Sequence, residues 1–350
     1  MKRILPVATF LSGFFKNVAR GQSDKEIVRN RLVACLIEKH RVIFLQATDI
    51  IKAVESSWHY AEGFLDAGRV SDYIPVLAAT NAAQLGCAVM TPDGCCHKFG
   101  NADALFSMQS ISKVINLMYA LKILGREEVF AKVGAEPTGD PYNCLIKLET
   151  AGEKPFNPFI NAGAITVTSL LAENAQLADI MQFCHKVFGG EVAVDEDVYA
   201  QEKRAGKRNW SMAYLMSSKG ALGEDVEDYL NLYFRLCAVN VNAVNLAHMG
   251  AMLAGGGKSP TTGEEIVSPW VITTTKAIML TCGMYDGSGD FAVSAGLPAK
   301  SGIGGGIVAT GGTLGLGTFG PALDSKGNSV GGIKFMSKIS EQLGLSVFSC

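Results

Sequence analysis

The sequence is poor in charge and contains no residue pattern typical of a metal site. Charged residues make up only 18% of its 350 residues, and the formal net charge is −2 with no run of basic residues. Binding to nucleic acid or to a membrane surface is therefore disfavoured. The nine cysteines include no C-x-x-C pair, and the five histidines are isolated from one another. We therefore expect no metal ion and no metal-dependent chemistry.

Cysteine usage and the N-terminus bear on the cellular compartment. The number of cysteines is odd, and Cys95 and Cys96 are adjacent, which is poor geometry for a disulfide. These features predict reduced thiols, mostly in the core, and a cytoplasmic protein. The alternative is a secretory signal, since a basic start precedes an uncharged run over residues 4–15, although Lys16 follows at once and the cleavage site is weak. No run is long enough to span a membrane.

What the sequence does contain is a high hydrophobic content and clearly patterned segments. Hydrophobic residues make up 48% of the chain, which indicates a well-buried globular protein. The segment 84–101 alternates as two short strands around a turn at Pro92-Asp93-Gly94. Helical periodicity follows at 111–124, 162–173, 176–187, 209–218 and 226–254. Strand-like runs return in GIVAT, TLGLGTF and DFAVSAG, and a final helix is predicted at 331–344.

Strands at both ends of the chain with helices between them predict an α+β fold of the multi-domain type. One antiparallel sheet is expected to form from both ends and to be flanked by helices, with a helical domain inserted between its halves. We expect residues 1–48 to be an N-terminal extension of unclear role and 49–350 to be the main unit. Within that unit, 49–107 and 290–350 are expected to form the sheet part, and 108–289 the helical part.

The first candidate chemistry is a serine with a lysine three positions later, Ser110 and Lys113, at the start of the first predicted helix. Helical spacing places the two on one face, and the helix N-terminus favours an alkoxide-like serine oxygen. A desolvated lysine has a lowered pKa and can accept the serine proton, which activates the nucleophile. The alternative is a serine that caps the helix and a solvated lysine. The pair alone does not decide between these interpretations.

A second motif favours the catalytic interpretation. Lys300, Ser301 and Gly302 stand immediately before a strand-like run. Serine acyl-transfer enzymes of the penicillin-recognising type combine Ser-x-x-Lys with such a strand-borne Lys-Ser/Thr-Gly. In that arrangement the lysine and the hydroxyl polarise the site, and the strand offers a backbone N–H to an oxyanion. The alternative is a glycine-rich turn before an edge strand.

Two glycine motifs are not interpreted as nucleotide sites. Residues 255–259 resemble a phosphate loop, but Met252 occupies the required upstream glycine position. The glycines within 315–320 match a dinucleotide fingerprint, but Pro321 follows and no βαβ unit surrounds them. We interpret both motifs as turns. A G-x-S-x-G elbow is absent, which excludes the α/β-hydrolase class.

Longer segments of the sequence carry a family resemblance. Five segments resemble the serine-dependent glutaminase family, and the likeness runs from about Ser71 to the C-terminus. The segments are ADALFSMQSISKV, VGAEPTGDPYN, PFNPFINAGAI, CGMYDGSGDFA and GLPAKSGIGGG. The resemblance implies a β-lactamase/transpeptidase-like fold and hydrolysis of L-glutamine to L-glutamate and ammonia, without a metal or organic cofactor. It also implies a homodimer or homotetramer, with 49–350 as the catalytic unit.

The resemblance also implies roles for individual residues. Ser110 matches the nucleophile, Lys113 the general base, and Tyr285 a tyrosine near the reacting amide. The residues that match substrate contacts are Tyr73, Ser110, Asn161, Glu202, Asn209, Tyr233, Tyr285 and Ile303. Lys300, Ser301 and Gly302 are expected to support the site.

Among the substrate contacts, Glu202 and Asn209 match positions that grip the α-amino and α-carboxylate ends. Ile303 stands where the family often has valine, and its backbone N–H is expected to form an oxyanion hole with that of Ser110. Without the resemblance, several of these residues have structural interpretations: Tyr233 as core, Glu202 as a solvated charge, and Asn161 as a helix cap.

Two other functions stay open on the residues themselves. A secreted β-lactamase or other penicillin-recognising hydrolase shares Ser110, Lys113 and Lys300, but it needs a Ser-x-Asn or Tyr-x-Asn motif, and only residues 229–231 offer one, within a helical run. A catalytically silent oligomeric scaffold is the alternative from another class, and the complete set of site residues argues against it. The residues do not decide whether Lys113 acts as the base alone or with Tyr285.

Overall fold

A computed structural model describes residues 47–139, 143 and 154–349. These residues belong to one compact unit that spans residues 46–350. The predicted N-terminal extension and its signal-like run lie outside the described residues, except for Ala47 and Thr48, which begin the first described helix. The predicted boundaries, at residue 48 and between the sheet part and the helical part, stay predictions.

The strands form one main antiparallel sheet, built from both ends of the described chain as predicted. They are β1 (Gly86–Met90), β2 (Cys96–Gly100), β3 (Phe106–Ser107), β4 (Asn240–Val241), β5 (Ala299–Ser301), β6 (Gly306–Gly311) and β7 (Leu314–Phe319). The main sheet has the order β2-β1-β7-β6-β5, and β3 pairs separately with β4. The predicted hairpin is confirmed, since β1 and β2 are antiparallel and Met90 pairs with Cys96 beside the turn.

Most helices of the described residues lie between the early and late strands, while two precede β1 and one follows β7. The described helices are α1 (Ala47–Glu62), α2 (Pro75–Ala78), α3 (Ser112–Leu124), α4 (Arg126–Lys132), α5 (Asn161–Asn174), α6 (Leu177–Phe188), α7 (Glu196–Ala205), α8 (Lys207–Ser218), α9 (Val226–Cys237), α10 (Ala243–Ala254), α11 (Pro269–Cys282), α12 (Ser288–Ser294) and α13 (Val330–Leu343). The helices predicted at 111–124, 162–173, 176–187, 209–218 and 331–344 are confirmed as α3, α5, α6, α8 and α13, with ends shifted by one or two residues.

Helices cover both faces of the main sheet. Every residue of β1, β6 and β7 is buried. On β7, a Cβ at Gly317 would overlap Ala243 of α10, while Thr318 lies against Gly332 of α13. Because successive strand residues point to opposite faces, α10 lies on one face and α13 on the other. Helix α1 packs beside α13, against β1 and β2.

The interpretation of the glycines at 315–320 as a turn is wrong for Gly315 and Gly317. Both lie within strand β7. A side chain at either position would overlap backbone atoms of α10. The helix axis can approach the strand this closely only because these positions carry no Cβ. The glycines therefore serve helix-on-sheet packing, and not a turn or a nucleotide.

Helix α3, which follows Ser110, lies in the centre of the molecule. Its sequence predicts an amphipathic helix, but nine of its thirteen residues are buried, including Lys113 and Asn116. It belongs to an extensive hydrophobic cluster, together with α5, α6, α10 and α11. A helix buried on nearly all sides gives its polar residues a low-dielectric environment, which matters for Lys113.

The single helix predicted at 226–254 is wrong, because two helices occupy this range. Helix α9 ends at Cys237, and Asn240 and Val241 form strand β4, which pairs with β3. Asn242 then caps α10, since its side chain accepts a hydrogen bond from the Asn245 N–H. The apolar periodicity continues through the break, so periodicity alone hides it.

The strand predicted in DFAVSAG is also wrong. Residues 288–294 form helix α12, which buries Phe291 and leaves Val293 91% exposed. The short alternation of apolar residues imitates a strand. The chain instead turns at Gly296, whose φ is +64°, and only then enters β5.

Candidate active site

Ser110 lies in a tight bend between strand β3 and helix α3. The bend is a 3-10 turn over Gln109–Ile111, and α3 begins directly after it, at Ser112. The Met108 N–H donates to the Val239 carbonyl at 2.9 Å, which ties the bend to the chain before β4. Gln109 has φ +49°, an uncommon conformation for a residue with a side chain. The nucleophile predicted from sequence is therefore presented by a strained turn and not by regular helix.

Lys113 is almost completely buried one helical turn after Ser110. Its exposed fraction is 1%, and its Nζ donates hydrogen bonds to the Phe159 carbonyl at 3.0 Å and to Asn161 Oδ1 at 2.6 Å. Burial lowers the pKa of Lys113 to about 7, and nearby Cys237 acts in the opposite direction. In its neutral form the Lys113 amine carries a lone pair, which can take up a proton. Lys113 thus has the properties of a general base near neutral pH.

The acceptors of Lys113 are held by an asparagine turn before helix α5. Asn157 is buried, and its Oδ1 accepts from the N–H groups of Phe159 and Ile160 at 3.0 and 3.1 Å. Its Nδ2 donates to the Glu136 carbonyl at 2.8 Å. Helix α5 then begins at Asn161. The predicted helix-cap role of Asn161 is therefore not what is observed, since Asn161 is the first helical residue and its side chain faces Lys113.

A cavity of about 90 Å³ opens next to Ser110. Seven of the sequence-predicted site residues line it, namely Tyr73, Ser110, Asn161, Glu202, Asn209, Tyr233 and Ile303. Asn161 Nδ2 donates to Asn209 Oδ1 at 2.9 Å, which links helices α5 and α8 across the cavity. Lys113 lies behind Asn161. The cavity is far smaller than the roughly 300–1,000 Å³ of sites for drug-sized ligands, and it suits a small polar molecule.

Glu202 is the acidic side chain of the cavity. It lies on α7 and is only 2% exposed, so the predicted solvated alternative is wrong. Burial raises the pKa of Glu202 to about 7, while hydrogen bonds from the side chains of Gln109 and Tyr73 act in the opposite direction. Its Oε1 has no hydrogen-bond partner among the described residues. A buried carboxylate oxygen without a partner is costly, and it is well placed to receive a cationic ligand group.

Helix α9 supplies a second wall of the cavity. Tyr233 is buried there, and burial raises the pKa of its phenol well above the usual value. One turn later, Cys237 lies against the Tyr233 hydroxyl and 3.7 Å from Ser112 Oγ, and burial raises the pKa of this thiol to about 12. Both groups are therefore neutral at physiological pH. Sequence reasoning missed Cys237, because a cysteine in an apolar helix is indistinguishable from core.

The Lys300-Ser301-Gly302 motif lies in and just after strand β5, directly before Ile303, and none of its three residues lines the cavity. The Lys300 side chain is fully buried, and its Nζ donates to the Ser301 carbonyl. Nζ also lies 4.4 Å from the centre of the Tyr285 ring. The pKa of Lys300 lies well below its usual value. Burial is the larger cause, and the charge of Lys113 lowers the pKa further. Tyr285 is buried and has φ +54°.

Gly302 brings the end of β5 against the Ser110 turn. A Cβ at this position would lie 2.6 Å from the Met108 carbonyl oxygen and 3.4 Å from the Ser110 nitrogen. Only glycine allows this approach, which places the next residue, Ile303, beside Ser110 at the cavity. Within the described residues, the backbone N–H groups of Ser110 and Ile303 donate no hydrogen bond to a protein atom. The two donors are thus available to an oxyanion.

Sequence reasoning did not assign all residues that line the cavity. Gln109, Asn143, Arg208 and Cys237 also contribute to its wall. Arg208 Nε donates to the Asn143 carbonyl at 2.6 Å, so these two residues form one connected side. Gln109 and Asn143 fall within motifs that carry the family resemblance, which was the available signal. No sequence pattern indicated that Arg208 or Cys237 faces the cavity.

Within residues 47–139, 143 and 154–349, no group of three His, Cys, Asp or Glu side chains is arranged to hold a metal ion. No helix in this part of the chain has the length and apolar character needed to cross a membrane. The six cysteines in it are free thiols.

Comparison with known proteins identifies the family. The family model described as glutaminase matches residues 68–348. The chain belongs to the glutaminase family. Among its glutaminase relatives, Glutaminase 2 of Clostridium perfringens is 46% identical over 291 residues, which cover 81% of this chain and 95% of the relative.

Solved glutaminase structures share the fold. A probable glutaminase, ybaS, is 37% identical with a TM-score of 0.84, and the match covers 87% of this chain and 100% of that one. The Bacillus subtilis glutaminase YbgJ is 33% identical with a TM-score of 0.76, covering 84% of this chain and 98% of that one. That structure is a covalent complex with 5-oxo-L-norleucine, formed by reaction with 6-diazo-5-oxo-L-norleucine. The predicted family and the predicted α+β, β-lactamase-like fold are confirmed.

The family match favours the glutaminase interpretation over both alternatives. The Tyr229-Leu230-Asn231 triplet, which a β-lactamase would need at its site, lies within α9 away from the cavity. The Tyr229 hydroxyl donates to Glu173 Oε1, and Asn231 Oδ1 accepts from the Tyr199 hydroxyl. Neither side chain lines the cavity beside Ser110.

Proposed function

We propose that Ser110 and Lys113 carry out the glutaminase reaction, the hydrolysis of L-glutamine to L-glutamate and ammonia through an acyl-serine intermediate. The observation that carries this proposal is the environment of Lys113, a buried amine with a pKa of about 7 located one turn after a serine that lines a small cavity. The covalent complex of the Bacillus subtilis relative supports a nucleophilic mechanism for the family.

In the proposed first half-reaction, Ser110 Oγ attacks the side-chain amide carbon of glutamine while Lys113 Nζ takes the serine proton. The tetrahedral intermediate then collapses, its C–N bond breaks, and the leaving nitrogen receives a proton to depart as ammonia. We assign that proton transfer to Tyr285 together with Lys113. In the second half-reaction, water gives a proton to the same base and attacks the ester carbon, which releases glutamate and restores Ser110.

The oxyanion of both tetrahedral intermediates would be held by two backbone donors. We assign these to the N–H groups of Ser110 and Ile303, which are available and are brought together by the close approach of Gly302. Donors that are fixed before the reaction stabilise developing charge without reorganisation. Because the proposed donor is a backbone N–H, it does not depend on whether isoleucine or the family's frequent valine stands at position 303.

The two charged ends of glutamine would bind in the rest of the cavity. We assign the α-ammonium group to Glu202, whose buried Oε1 lacks a partner within the described chain. The arrival of a cation would lower the pKa of Glu202 from about 7 and keep it ionised. Asn209 is assigned to the α-carboxylate, and Tyr73, Asn161 and Tyr233 to positioning the rest of the substrate. A cytoplasmic location and a homodimeric or homotetrameric state are part of the same proposal.

The test combines substrate choice with trapping of the nucleophile. The full-length protein is incubated separately with L-glutamine, L-asparagine and a chromogenic cephalosporin, and ammonia release or absorbance is measured. We expect ammonia from glutamine and no cephalosporin turnover. Mass spectrometry after treatment with 6-diazo-5-oxo-L-norleucine should locate one adduct at Ser110.

Two variants complete this test. Ser110→Ala should lose glutamine hydrolysis and the adduct, with an unchanged thermal unfolding curve. Ser169→Ala, which removes a buried hydroxyl away from the cavity, should retain both. Cephalosporin turnover without ammonia from glutamine, or full activity in Ser110→Ala, contradicts the proposal.

A further inference from the structure

Tyr285 is held in an uncommon backbone conformation from outside the cavity. Its φ is +54°, and among the described residues other than glycine only Gln109 also has a positive φ. A bulky residue adopts this left-handed conformation at a cost, so it persists only where surrounding contacts impose it. The hydrogen bonds of the backbone on either side of Tyr285 identify those contacts.

Ser288 binds the backbone on both sides of the Tyr285 nitrogen. Its buried hydroxyl accepts a hydrogen bond from the Met284 N–H at 3.0 Å and donates one to the Tyr285 carbonyl at 2.9 Å. One side chain therefore provides a hydrogen-bond partner for two backbone groups at the 3-10 turn Tyr285–Gly287, the Met284 N–H and the Tyr285 carbonyl. This closes the chain into a tight loop around Tyr285.

Asn328 holds the same loop from the opposite direction. It is 1% exposed, and its Nδ2 donates to the Met284 carbonyl at 3.2 Å. The reverse orientation of the amide would set two oxygens against each other, so this contact fixes which end faces Met284. The Asn328 Oδ1 has no hydrogen-bond partner within the described chain. An unsatisfied buried acceptor destabilises a protein, so stability alone does not account for an asparagine here.

The turn that carries Asn328 runs beside the Tyr285 ring. Asp324 Oδ1 accepts from the N–H groups of Lys326 and Asn328, both at 2.9 Å, which fixes the turn. At its tip, Gly327 has φ +89°, and a Cβ there would lie 3.7 Å from the Tyr285 ring and 3.5 Å from the Ile303 side chain. The turn therefore lies next to both the ring and the residue that borders the cavity.

We propose that Ser288 and Asn328 are positioning residues for Tyr285. By holding the backbone of Met284 and Tyr285, they impose the left-handed conformation and direct the phenol toward the leaving nitrogen of the substrate. Ser288, Asn328 and Tyr285 are not among the residues that line the cavity beside Ser110. Ser288 and Asn328 contact the backbone that carries Tyr285, so the proposed route of their action is through Tyr285. The inference rests on the proton-transfer role proposed above for Tyr285.

The first part of the test measures steady-state kinetics of the full-length enzyme with glutamine. Ser288→Ala and Asn328→Asp should each lower kcat by about 10- to 100-fold while KM changes by less than about threefold, because a displaced proton donor slows chemistry more than binding. Ser288→Thr retains the hydroxyl and should recover most of kcat.

Ser169→Ala is the matched control for Ser288→Ala. It also removes a buried hydroxyl that donates to the carbonyl three residues earlier, at 2.8 Å, but in helix α5. It should leave kcat unchanged. An equal loss of kcat in the control would overturn the inference, because it would show a general effect of removing buried hydroxyls.

The second part asks whether the two residues act through Tyr285. In a Tyr285→Phe background, adding Ser288→Ala or Asn328→Asp should lower kcat no further, since no proton donor remains to be positioned. Losses that multiply would overturn the inference. If either single variant fails to fold, Gly327→Ala repeats the test, because it disturbs the turn through its positive φ and removes no buried polar group.

The outcomes separate this inference from the proposed function. If Tyr285→Phe keeps full kcat, the proposed catalytic role of Tyr285 fails, and the positioning role fails with it. If Tyr285→Phe is slow while the Ser288 and Asn328 variants are as fast as wild type, only the positioning inference is overturned.

Discussion

At the scale of single residues, two buried ionisable groups control the proposed chemistry. Lys113 and Glu202 are nearly inaccessible, and burial moves both pKa values to about 7, from opposite directions. The base must be neutral to accept the Ser110 proton, and the carboxylate must be ionised to bind an ammonium group. Both requirements fail as the pH falls through about 7, since each group then takes up a proton.

The pH dependence of the reaction follows from this pair. We expect log(kcat/KM) for glutamine to fall below about pH 7 with a slope approaching two, because kcat/KM reports both groups in the free enzyme. Glu202→Gln should reduce the slope to one and lower kcat/KM by about 10- to 150-fold, the value of a hydrogen bond to a charged group. Rate profiles between pH 5 and 9 measure both effects.

The control for this prediction is Glu264→Gln, which removes a half-exposed carboxylate paired with Lys186 on the surface. It should keep the wild-type slope and the wild-type kcat/KM. A slope of two that persists in Glu202→Gln would show that Glu202 is not one of the two titrating groups. A pH-independent rate in the wild-type enzyme would contradict the proposed role of Lys113.

At the scale of elements, the site depends on how closely strand β5 approaches the turn before α3. The two segments lie far apart in the sequence, and they approach each other closely at Gly302, which lies against Met108 and Ser110. Strand β5 is held in place by antiparallel pairing with β6, in which Lys300 pairs with Val308. A small displacement at this contact separates the two proposed oxyanion donors.

Gly302→Ala should therefore damage catalysis more than stability. The new Cβ would lie 2.6 Å from the Met108 carbonyl oxygen, so either β5 or the Ser110 turn must move. We expect kcat/KM to fall by about 100-fold or more, the effect of misplacing a reacting group by about 1 Å. Kinetics with glutamine and thermal unfolding of the same samples measure the two effects.

The matched control is Gly190→Ala, where an added Cβ would meet no atom within 4 Å. This variant should keep wild-type kinetics and stability. Wild-type kcat/KM in Gly302→Ala, with the fold retained, would show that the contact between β5 and the Ser110 turn tolerates displacement and that the oxyanion assignment is wrong.

At the scale of the whole molecule, helix α10 joins the sheet to the helical part. It lies directly on β7, β6 and β1, and it contributes to the large core together with α3 and α6. The close approach depends on Gly315 and Gly317, whose missing side chains leave room for the helix backbone. None of its residues lines the cavity, so this junction affects stability and not substrate binding.

Gly317→Ala tests whether this junction affects stability without affecting catalysis. An added methyl group would overlap the Ala243 carbonyl oxygen, and overpacking of this kind costs about 1–3 kcal/mol and occasionally more. Urea denaturation should show the lower free energy of unfolding, with kcat and KM of the folded enzyme within about twofold of wild type. Unchanged stability, or a loss of kcat without a loss of stability, would contradict the assigned role of the junction.

Prediction from the sequence succeeded where local pattern decides the structure. The β1–β2 hairpin follows from alternation around a turn, and helices α3, α5 and α6 follow from their periodicity. Prediction failed at 226–254 and at DFAVSAG, where an apolar pattern continues through a break or fits two kinds of element. At β4, pairing with β3 decides the outcome, and this contact lies far away in the sequence.

The sequence by itself determined the family, the β1–β2 hairpin, most of the helices and seven of the residues that line the cavity, because these depend on local motifs and spacing. Only the tertiary structure decided that Lys113 and Glu202 are buried, that Cys237 faces the cavity, and that Gln109 and Tyr285 have positive φ. Burial and backbone strain are imposed by neighbours distant in the chain. Ser110 and Lys113 are thus visible in the sequence, but the environment that makes a lysine basic near pH 7 exists only in the folded molecule.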